Sequence, residues 1–327
     1  MTEHRPRVGV VSPVHPQLLD WLRARADTHY EPDVTQDDLR RAPLAGSDVL
    51  VLRSNVNVGG AELAGLPRLR LVLRAGSGTD NLDLPALSAR NVSVVRIGGS
   101  ASAPAVAELA LQAVLALLRR LPVAAAELRS GRWTKTALLG AELAGRSVGI
   151  WGAGPVGLAA AKLFDALGAA PVFARHRSVR SGMPVADLEH LASTASIHVF
   201  ALPRRPDTIG YVGPELLARF GAQSCLVNVG RWDAFDMPAV VDALARGHLA
   251  GVAVDPVDRA HVPSAQAFLT RTDLAGRPMN LQLSPHLGAT TEESLRRVAE
   301  AAIAALAARW GDLCSTMPPR RPQGEAT

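Results

Sequence analysis

Lysine is almost missing from this chain, which has only Lys135 and Lys162 among its 35 Lys and Arg residues. Against 30 Asp and Glu residues the net charge is +5, and arginine carries nearly all of the basic charge. No run of five basic residues occurs in the sequence, although such runs are typical of nucleic-acid-binding segments. We therefore expect no nucleic-acid partner.

Cysteine and long apolar segments are also scarce. Cys225 and Cys314 lie far apart and form no Cys-x-x-Cys motif, which is typical of a reduced compartment and of a chain without zinc or disulfides. The amino terminus shows no signal-peptide core, and the longest apolar stretch, residues 105–118, is interrupted by Glu108 and Gln112. We expect a cytoplasmic protein without a metal site or a membrane partner.

Aromatic residues make up only 4% of the chain, whereas hydrophobic residues make up 48%. A core must therefore be mainly aliphatic, and this composition excludes disorder for most of the chain. The length of 327 residues predicts two domains.

Short apolar runs alternate with helical segments along the whole chain, which is typical of parallel α/β folds. The predicted strands are 7–12, 48–52, 69–73, 92–95, 146–151, 171–174, 197–202, 224–228, 251–254 and 280–284. The clearest predicted helices are 16–25, 104–119, 156–167, 214–220, 237–246 and 291–310. The fold class that this pattern predicts is α/β, with two Rossmann-like, doubly wound parallel-sheet domains.

A glycine-rich turn follows the fifth predicted strand. Gly152, Gly154 and Gly157 form the pattern Gly-x-Gly-x-x-Gly between that strand and a helix. In a dinucleotide site the first glycine permits a tight turn, the second lets a pyrophosphate approach, and the third allows close packing of helix and strand. The helix start, with Pro155 and Val156, would present N–H groups to the anion. The alternative is that the glycines only close a strand-to-helix turn.

The end of the next strand indicates which dinucleotide is bound. An NAD site usually has Asp or Glu there to accept hydrogen bonds from the adenosine ribose. Here the position is Arg175, followed by His176 and Arg177. Because guanidinium groups bind a 2′-phosphate and a carboxylate would repel it, the sequence predicts NADP(H). The alternative is a solvated basic loop.

Four further motifs occur in one order along the chain, namely residues 74–83 (RAGSGTDNLD), 106–109 (VAEL), 227–231 (VNVGR) and 284–291 (SPHLGATT). With the glycine turn, they resemble the D-isomer-specific 2-hydroxyacid dehydrogenase family over nearly the full length. The resemblance implies a substrate domain of residues 1–102 plus 290–327, with a dinucleotide-binding domain of residues 103–289 inserted into it. It also implies a homodimer.

The resemblance assigns roles to particular residues. Arg231 would hold the carboxylate and carbonyl oxygens of a small carboxylate substrate, and His286 would be the acid–base group. The other substrate-side residues would be Arg53, Ser54, Ser77 and Gly78, with Trp232 after the catalytic arginine. Further cofactor contacts would be Leu202, Pro203, Arg204, Val229 and Asp255, and Arg204 would add positive charge near the adenosine end.

Two positions depart from the family pattern. The glutamate that usually partners the catalytic histidine is replaced by Ala260, and its role could fall to Asp258, to His261 or to no residue at all. The glycine that usually follows the arginine is replaced by Trp232, which could narrow or reshape the substrate pocket or could be a packed surface aromatic.

Three functions are compatible with these departures. The first is an NADP(H)-dependent 2-hydroxyacid dehydrogenase or 2-keto acid reductase. The second is a catalytically degenerate NADP(H)-binding module used for protein contacts. The third is an enzyme that moves a hydride without the usual proton relay.

Overall fold

The computed structural model describes residues 5–175 and 184–315. The described chain divides into two compact units. One contains the residues up to Ala101 together with those from Glu292 onward, and the other runs from Ser102 to Thr291. We refer to them as the split unit and the inserted unit. Each unit has its own sheet and its own apolar core.

The described residues form the strands β1 Arg7–Val10, β2 Asp27–Tyr30, β3 Val49–Leu52, β4 Leu71–Arg74, β5 Ser93–Arg96, β6 Ser147–Trp151, β7 Ala170–Ala174, β8 Val185–Ala186, β9 Ile197–Phe200, β10 Cys225–Asn228, β11 Gly251–Val254 and β12 Leu281–Leu283. The α-helices are α1 Pro16–Arg23, α2 Gly60–Ala64, α3 Leu84–Ala89, α4 Ala103–Leu118, α5 Leu121–Arg129, α6 Pro155–Ala166, α7 Leu188–Thr194, α8 Pro214–Leu217, α9 Met237–Ala245, α10 Val262–Thr270, α11 Glu292–Ala307 and α12 Trp310–Ser315.

The split unit contains a five-stranded sheet with the order β2-β1-β3-β4-β5, in which every pair is parallel. Its central strands β3 and β4 are buried at every position. Apart from Arg74 at the end of β4, they have the aliphatic sequence that is typical of a parallel sheet covered on both faces. Helices α1 and α11 pack against each other on one side of this sheet.

The inserted unit contains a seven-stranded parallel sheet with the order β12-β11-β10-β9-β6-β7-β8. The strand order reverses between β6 and β9, and in doubly wound sheets ligands bind at the carboxyl ends of the strands beside such a point. Helices α4 and α6 pack together beneath β6, β9 and β10, around Phe164, Ile150 and Val227. These two sheets confirm the predicted α/β fold class.

Some element boundaries differ from those predicted. The predicted helix at 214–220 is only the short α8, and the last predicted helix is broken before Trp310 into α11 and α12. The edge strand β2 was not predicted, because its sequence, Asp-Thr-His-Tyr, lacks an aliphatic run and no position in it is fully buried.

Among the described residues, no single helix is long and apolar enough to cross a membrane. Helices α4 and α5 pass that test only as a pair, on length and composition, and they are bent by 65° where they meet. Ten of the sixteen residues of α4 are buried, and seven of these belong to the core of the inserted unit, which accounts for its apolar sequence.

Candidate active site and cofactor site

The glycine turn lies between β6 and α6 in the inserted unit. Gly152 has a φ of +119°, which residues with a side chain rarely adopt. A Cβ on Gly157 would lie 1.9 Å from the Gly152 carbonyl oxygen. The backbone therefore requires glycine at both positions. Gly154 has an ordinary φ of −77°, and a Cβ there would meet nothing within 4 Å. The fold leaves an open face beside Gly154 at the start of α6, and a pyrophosphate could approach there.

Arg175 follows directly after β7. Its Nε donates a hydrogen bond to Asp187 Oδ1 at 2.6 Å, and both side chains are mostly exposed, at 65% and 73%. Asp187 precedes α7, so this arginine has a carboxylate partner that the sequence reasoning did not consider. His176 and Arg177, the other two residues predicted to bind the 2′-phosphate, lie outside the described residues.

The loop after β9 carries Leu202, Pro203 and Arg204. Arg204 was expected to add positive charge near the adenosine end of the cofactor, and its guanidinium forms an ion pair with Asp233. The turn after β10 packs tightly on this loop, since a Cβ on Gly230 would lie 2.5 Å from the Leu202 carbonyl oxygen. The loop after β9 and the turn after β10 therefore pack against each other, beside the glycine turn.

Arg231 lies in the turn that follows β10 and Val229. Asn228, which is fully buried, holds this turn: its Oδ1 accepts from Gly230 N at 3.0 Å and its Nδ2 donates to the Arg231 carbonyl oxygen at 2.8 Å. Arg231 also donates from Nη1 to the Gly230 carbonyl oxygen. Asn228 lies within the motif that carries Arg231, and no role was predicted for it.

His286 lies in a turn that Asp255 holds in place. The Asp255 carboxylate is buried and accepts three hydrogen bonds, from Ser284 Oγ at 2.8 Å and from the N–H groups of Leu287 and Gly288 at 2.7 and 3.0 Å. The backbone of His286 has a φ of +59°, in the left-handed region, where histidine is found more often than most residues. These contacts give Asp255 a structural role that its predicted cofactor contact did not include.

Asp258 is the partner of His286. Its Oδ1 lies 2.9 Å from His286 Nδ1, and both side chains are partly exposed. Because a carboxylate only accepts hydrogen bonds, Nδ1 carries the proton and Nε2 is left to exchange one with a substrate. The hydrogen bond from His286 holds the pKa of Asp258 below its usual range, against the opposing effect of partial burial. The charges of His286, His261 and Arg231 lower it further, so Arg231 and His286 act on the same carboxylate.

Trp232 is packed into the core of the inserted unit. The residue is 7% exposed, and its ring stacks on His261, at 5.0 Å, and on Phe268, at 6.4 Å. Trp232 is therefore a buried aromatic, not the surface aromatic of one interpretation, and its contact with the substrate stays a prediction. His261, the other candidate to replace the family glutamate, stacks on Trp232. Among the described contacts, His286 is hydrogen-bonded by Asp258 and not by His261.

The residues of the split unit that were predicted to contact the substrate lie on two loops, and the side-chain amide of Asn81 connects these loops. Asn81 donates to the carbonyl oxygen of Arg53, which follows β3, at 2.8 Å and accepts from Nε of the buried Arg74 at 3.2 Å. Burial lowers the pKa of the Arg53 guanidinium. On these loops Ser54 and Ser77 are exposed and Gly78 is partly exposed.

The structure thus brings together the predicted residues of the inserted unit at one sheet edge. Leu202, Val229 and Asp255 each lie within two residues of the carboxyl end of β9, β10 or β11, on the same edge as the glycine turn after β6. Across residues 5–175 and 184–315 no group of three or more His, Cys, Asp or Glu side chains is placed to hold a metal ion.

Comparison with known proteins identifies the family. Residues 111–288 match the model of the D-isomer specific 2-hydroxyacid dehydrogenase, NAD binding domain. The chain is 31% identical over 314 residues to D-3-phosphoglycerate dehydrogenase of Mycobacterium bovis, covering 93% of this chain and 58% of that protein. It spans little more than half the length of the curated relatives it matches.

Solved structures show the same similarity. An NADPH-dependent glyoxylate/hydroxypyruvate reductase of Sinorhizobium meliloti, in complex with NADP and malonate, is 27% identical with a TM-score of 0.74 and 94% of each chain covered. A pyruvate reductase of Chlamydomonas reinhardtii is 25% identical with a TM-score of 0.77, covering 95% of this chain and 98% of that one. The motifs, the two parallel sheets and these matches agree: the chain belongs to the D-isomer-specific 2-hydroxyacid dehydrogenase family.

Proposed function

We propose that the protein is an NADP(H)-dependent oxidoreductase that interconverts a small 2-keto acid and the corresponding 2-hydroxy acid. The observation that carries this proposal is the hydrogen bond between His286 Nδ1 and Asp258, formed where the charge of Arg231 also acts. A carboxylate, an imidazole and a guanidinium together supply the proton and the anion-binding group that reduction of a keto acid needs.

The nicotinamide cofactor, when bound, supplies the hydride that is added to C2 of the keto acid. The glycine turn fits such a cofactor, because Gly154 leaves open space at the start of α6. Gly152 and Gly157 allow the positive φ and the close backbone contact that the turn requires. The contacts assigned to Pro155, Val156, Leu202, Pro203 and Val229 rest on the resemblance and their place at this edge, and they stay predictions.

The reacting groups of the chain have separate tasks. Arg231 binds the carboxylate and the carbonyl oxygen of the substrate, and so stabilises the charge that develops on that oxygen. His286 donates the Nε2 proton to the oxygen as the alkoxide forms, and Asp258 stabilises the imidazolium before transfer. In the oxidation direction the neutral imidazole takes the proton back. Ser77 and Gly78 are assigned to the substrate carboxylate by the resemblance.

The preference for NADP(H) is supported by Arg175 at the end of β7, where an NAD site has a carboxylate. The exposed ion pair of Arg175 with Asp187 is weak enough to rearrange around a 2′-phosphate. A cytoplasmic location and a homodimer remain parts of this proposal that rest on the sequence and the family.

The test is a spectrophotometric assay of the purified chain with glyoxylate, hydroxypyruvate and larger 2-keto acids, with NADPH and with NADH. We expect turnover with at least one keto acid and a higher kcat/KM with NADPH. His286→Asn should abolish turnover while binding of NADPH persists, since asparagine tolerates the left-handed backbone at this position.

Two results would contradict the proposal. Tight NADPH binding without turnover on any keto acid would favour a degenerate binding module. Turnover that His286→Asn leaves unchanged would favour hydride transfer without a proton relay.

A further inference from the structure

A cavity lies at the edge of the inserted unit's sheet that is opposite to the glycine turn. Its volume is about 590 Å³. Arg146 immediately precedes β6, Cys225 begins β10, Ala250 immediately precedes β11 and Asn280 immediately precedes β12, and all four residues line it. Because parallel strands share a direction, this is the amino edge, about 17 Å from the glycine turn along the five residues of β6. We call it the amino-edge cavity.

The amino-edge cavity is strongly basic. Four of its lining residues are arginines, Arg120, Arg146, Arg246 and Arg277, and its single lining carboxylate, Asp273, is paired with Arg277 at 2.9 Å. The charge of Arg146 also acts on Cys225, another lining residue. Burial raises the pKa of the Cys225 thiol to about 11, and Arg146 opposes that rise. Such a surplus of guanidinium groups suits an anion with several oxygens.

Asn280 adds a second observation. Its side chain is 5% exposed, and its Nδ2 donates to the carbonyl oxygens of Leu117 at 3.0 Å and Ala250 at 2.9 Å. Two carbonyl acceptors fix the orientation of the amide, because the flipped amide would place its oxygen against both of them. The Oδ1 atom is then an acceptor, and among the described residues it has no hydrogen-bond partner.

Arg120, which also lines the cavity, carries a buried hydrogen-bond donor. Its backbone N–H donates to the same Leu117 carbonyl oxygen that Asn280 contacts, and its Nε is buried and has no hydrogen-bond partner in the described part of the chain. A buried donor atom and a buried acceptor atom thus belong to two residues that both line this basic cavity. Buried polar groups of this kind are normally satisfied by a ligand or by water.

We propose that the amino-edge cavity binds a small hydroxylated phosphate monoester. The arginines would bind the phosphate oxygens, and Asn280 Oδ1 would accept a hydrogen bond from a hydroxyl group of the organic part. The cavity is much larger than a phosphate ion, which favours an ester over free phosphate. This site is separate from the candidate active site and does not depend on the proposed reaction.

The test is isothermal titration calorimetry of the whole chain with glycerol 3-phosphate at low ionic strength. We expect one site per chain, with affinity reduced about tenfold by Arg120→Gln and by Arg246→Gln, each of which removes a charged donor. Arg246 is exposed at a helix end, so its substitution should not affect folding. Arg129→Gln, an exposed arginine of α5 that does not line the cavity, is the matched control and should bind normally.

Two comparisons identify the ligand class and the location. Ethyl phosphate, which has no hydroxyl group, and inorganic phosphate should each bind more weakly than glycerol 3-phosphate. Arg231→Gln should leave binding intact, because Arg231 belongs to the other edge of the sheet. No measurable binding, equal affinity in Arg120→Gln and the native chain, or a preference for ethyl or inorganic phosphate would overturn the proposal. Loss of binding in Arg231→Gln alone would place the ligand in the candidate active site and would also overturn it.

Discussion

Asp258 accepts a hydrogen bond from His286 Nδ1 at 2.9 Å, although the family pattern places a glutamate at the position of Ala260. The carboxylate comes from a residue two positions earlier, at the N-terminal side of the short turn Arg259–His261. The function of the missing glutamate can therefore be supplied by a different residue on the same loop. This replacement keeps the imidazole oriented by a carboxylate.

Asp258→Asn should separate two effects of Asp258 on His286, the orientation of the imidazole ring and the stabilisation of its positive charge. The amide can still accept from Nδ1 but no longer stabilises the imidazolium. We expect kcat/KM for keto-acid reduction to fall by about 100-fold, and the pH above which the rate declines to move downward. A pH–rate profile of both proteins checks this. Asp242→Asn, which breaks an exposed ion pair with Arg271 outside every predicted site, is the control, and an unchanged profile in Asp258→Asn would remove Asp258 from the mechanism.

Asp187→Asn and Arg175→Gln should change the affinity for NADPH in opposite directions. Removing Asp187 frees the Arg175 guanidinium and removes a negative charge that would repel a 2′-phosphate. Removing Arg175 takes away the phosphate-binding group, with a loss of about tenfold. KM for NADPH and for NADH in each variant measures the effect. Parallel changes for both cofactors would show that Arg175 does not recognise the phosphate.

Two glycines of the same turn should differ in what they control. Gly157→Ala places a methyl group against the Gly152 carbonyl oxygen, and we expect a loss of about 3 kcal/mol in the free energy of unfolding. Gly154→Ala meets open space, but alanine caps a helix less well than glycine, so it should cost about 1 kcal/mol and also weaken dinucleotide binding. Chemical denaturation and cofactor titration distinguish the two. Normal cofactor binding by Gly154→Ala would argue against a pyrophosphate at this place.

His198 should make the chain less stable in mild acid. Burial lowers its pKa from 6.5 to about 4, while Trp151 Nε1 donates to its Nδ1 at 3.3 Å. Since the unfolded chain binds a proton that the folded chain does not, stability is complete above pH 6.5 and falls as the pH drops towards 4, by about 3 kcal/mol. His198→Asn keeps an acceptor for Trp151 and should flatten this decline in denaturation curves.

The control for that experiment is His248→Asn, which changes an exposed histidine of the same unit. Its unfolding curves should retain the pH dependence of the native chain. If His198→Asn also retains it, another group is responsible for the loss of stability in acid.

The fold and the glycine turn could be predicted from the sequence because both depend on local patterns. Aliphatic runs of strand length predicted the two parallel sheets, and the spacing of Gly152, Gly154 and Gly157 reflects contacts within one strand-turn-helix unit. The ion pairs of Arg175 and Arg204 could not be predicted in this way. Their carboxylate partners lie on other loops, whose positions depend on how the strands are ordered in the sheet.

The sequence left three possibilities open for the family glutamate: replacement by Asp258, replacement by His261, or no replacement. Asp258 and His261 are one turn apart, and the sequence does not show which of them faces His286. In the structure His261 stacks on Trp232, the indole that replaces the family glycine, and Asp258 is the residue that hydrogen-bonds His286. These contacts favour Asp258 as the replacement, which stays a proposal.

Asn81 has a consequence for efforts to redesign substrate choice. A single amide ties the backbone after Arg53 to the side chain of Arg74, from which the 76–80 loop continues. A library that varies only residues 53–58 would therefore also displace the neighbouring loop whenever it disturbs that amide. Productive variants should come from mutagenesis that randomises both segments jointly while leaving position 81 as asparagine.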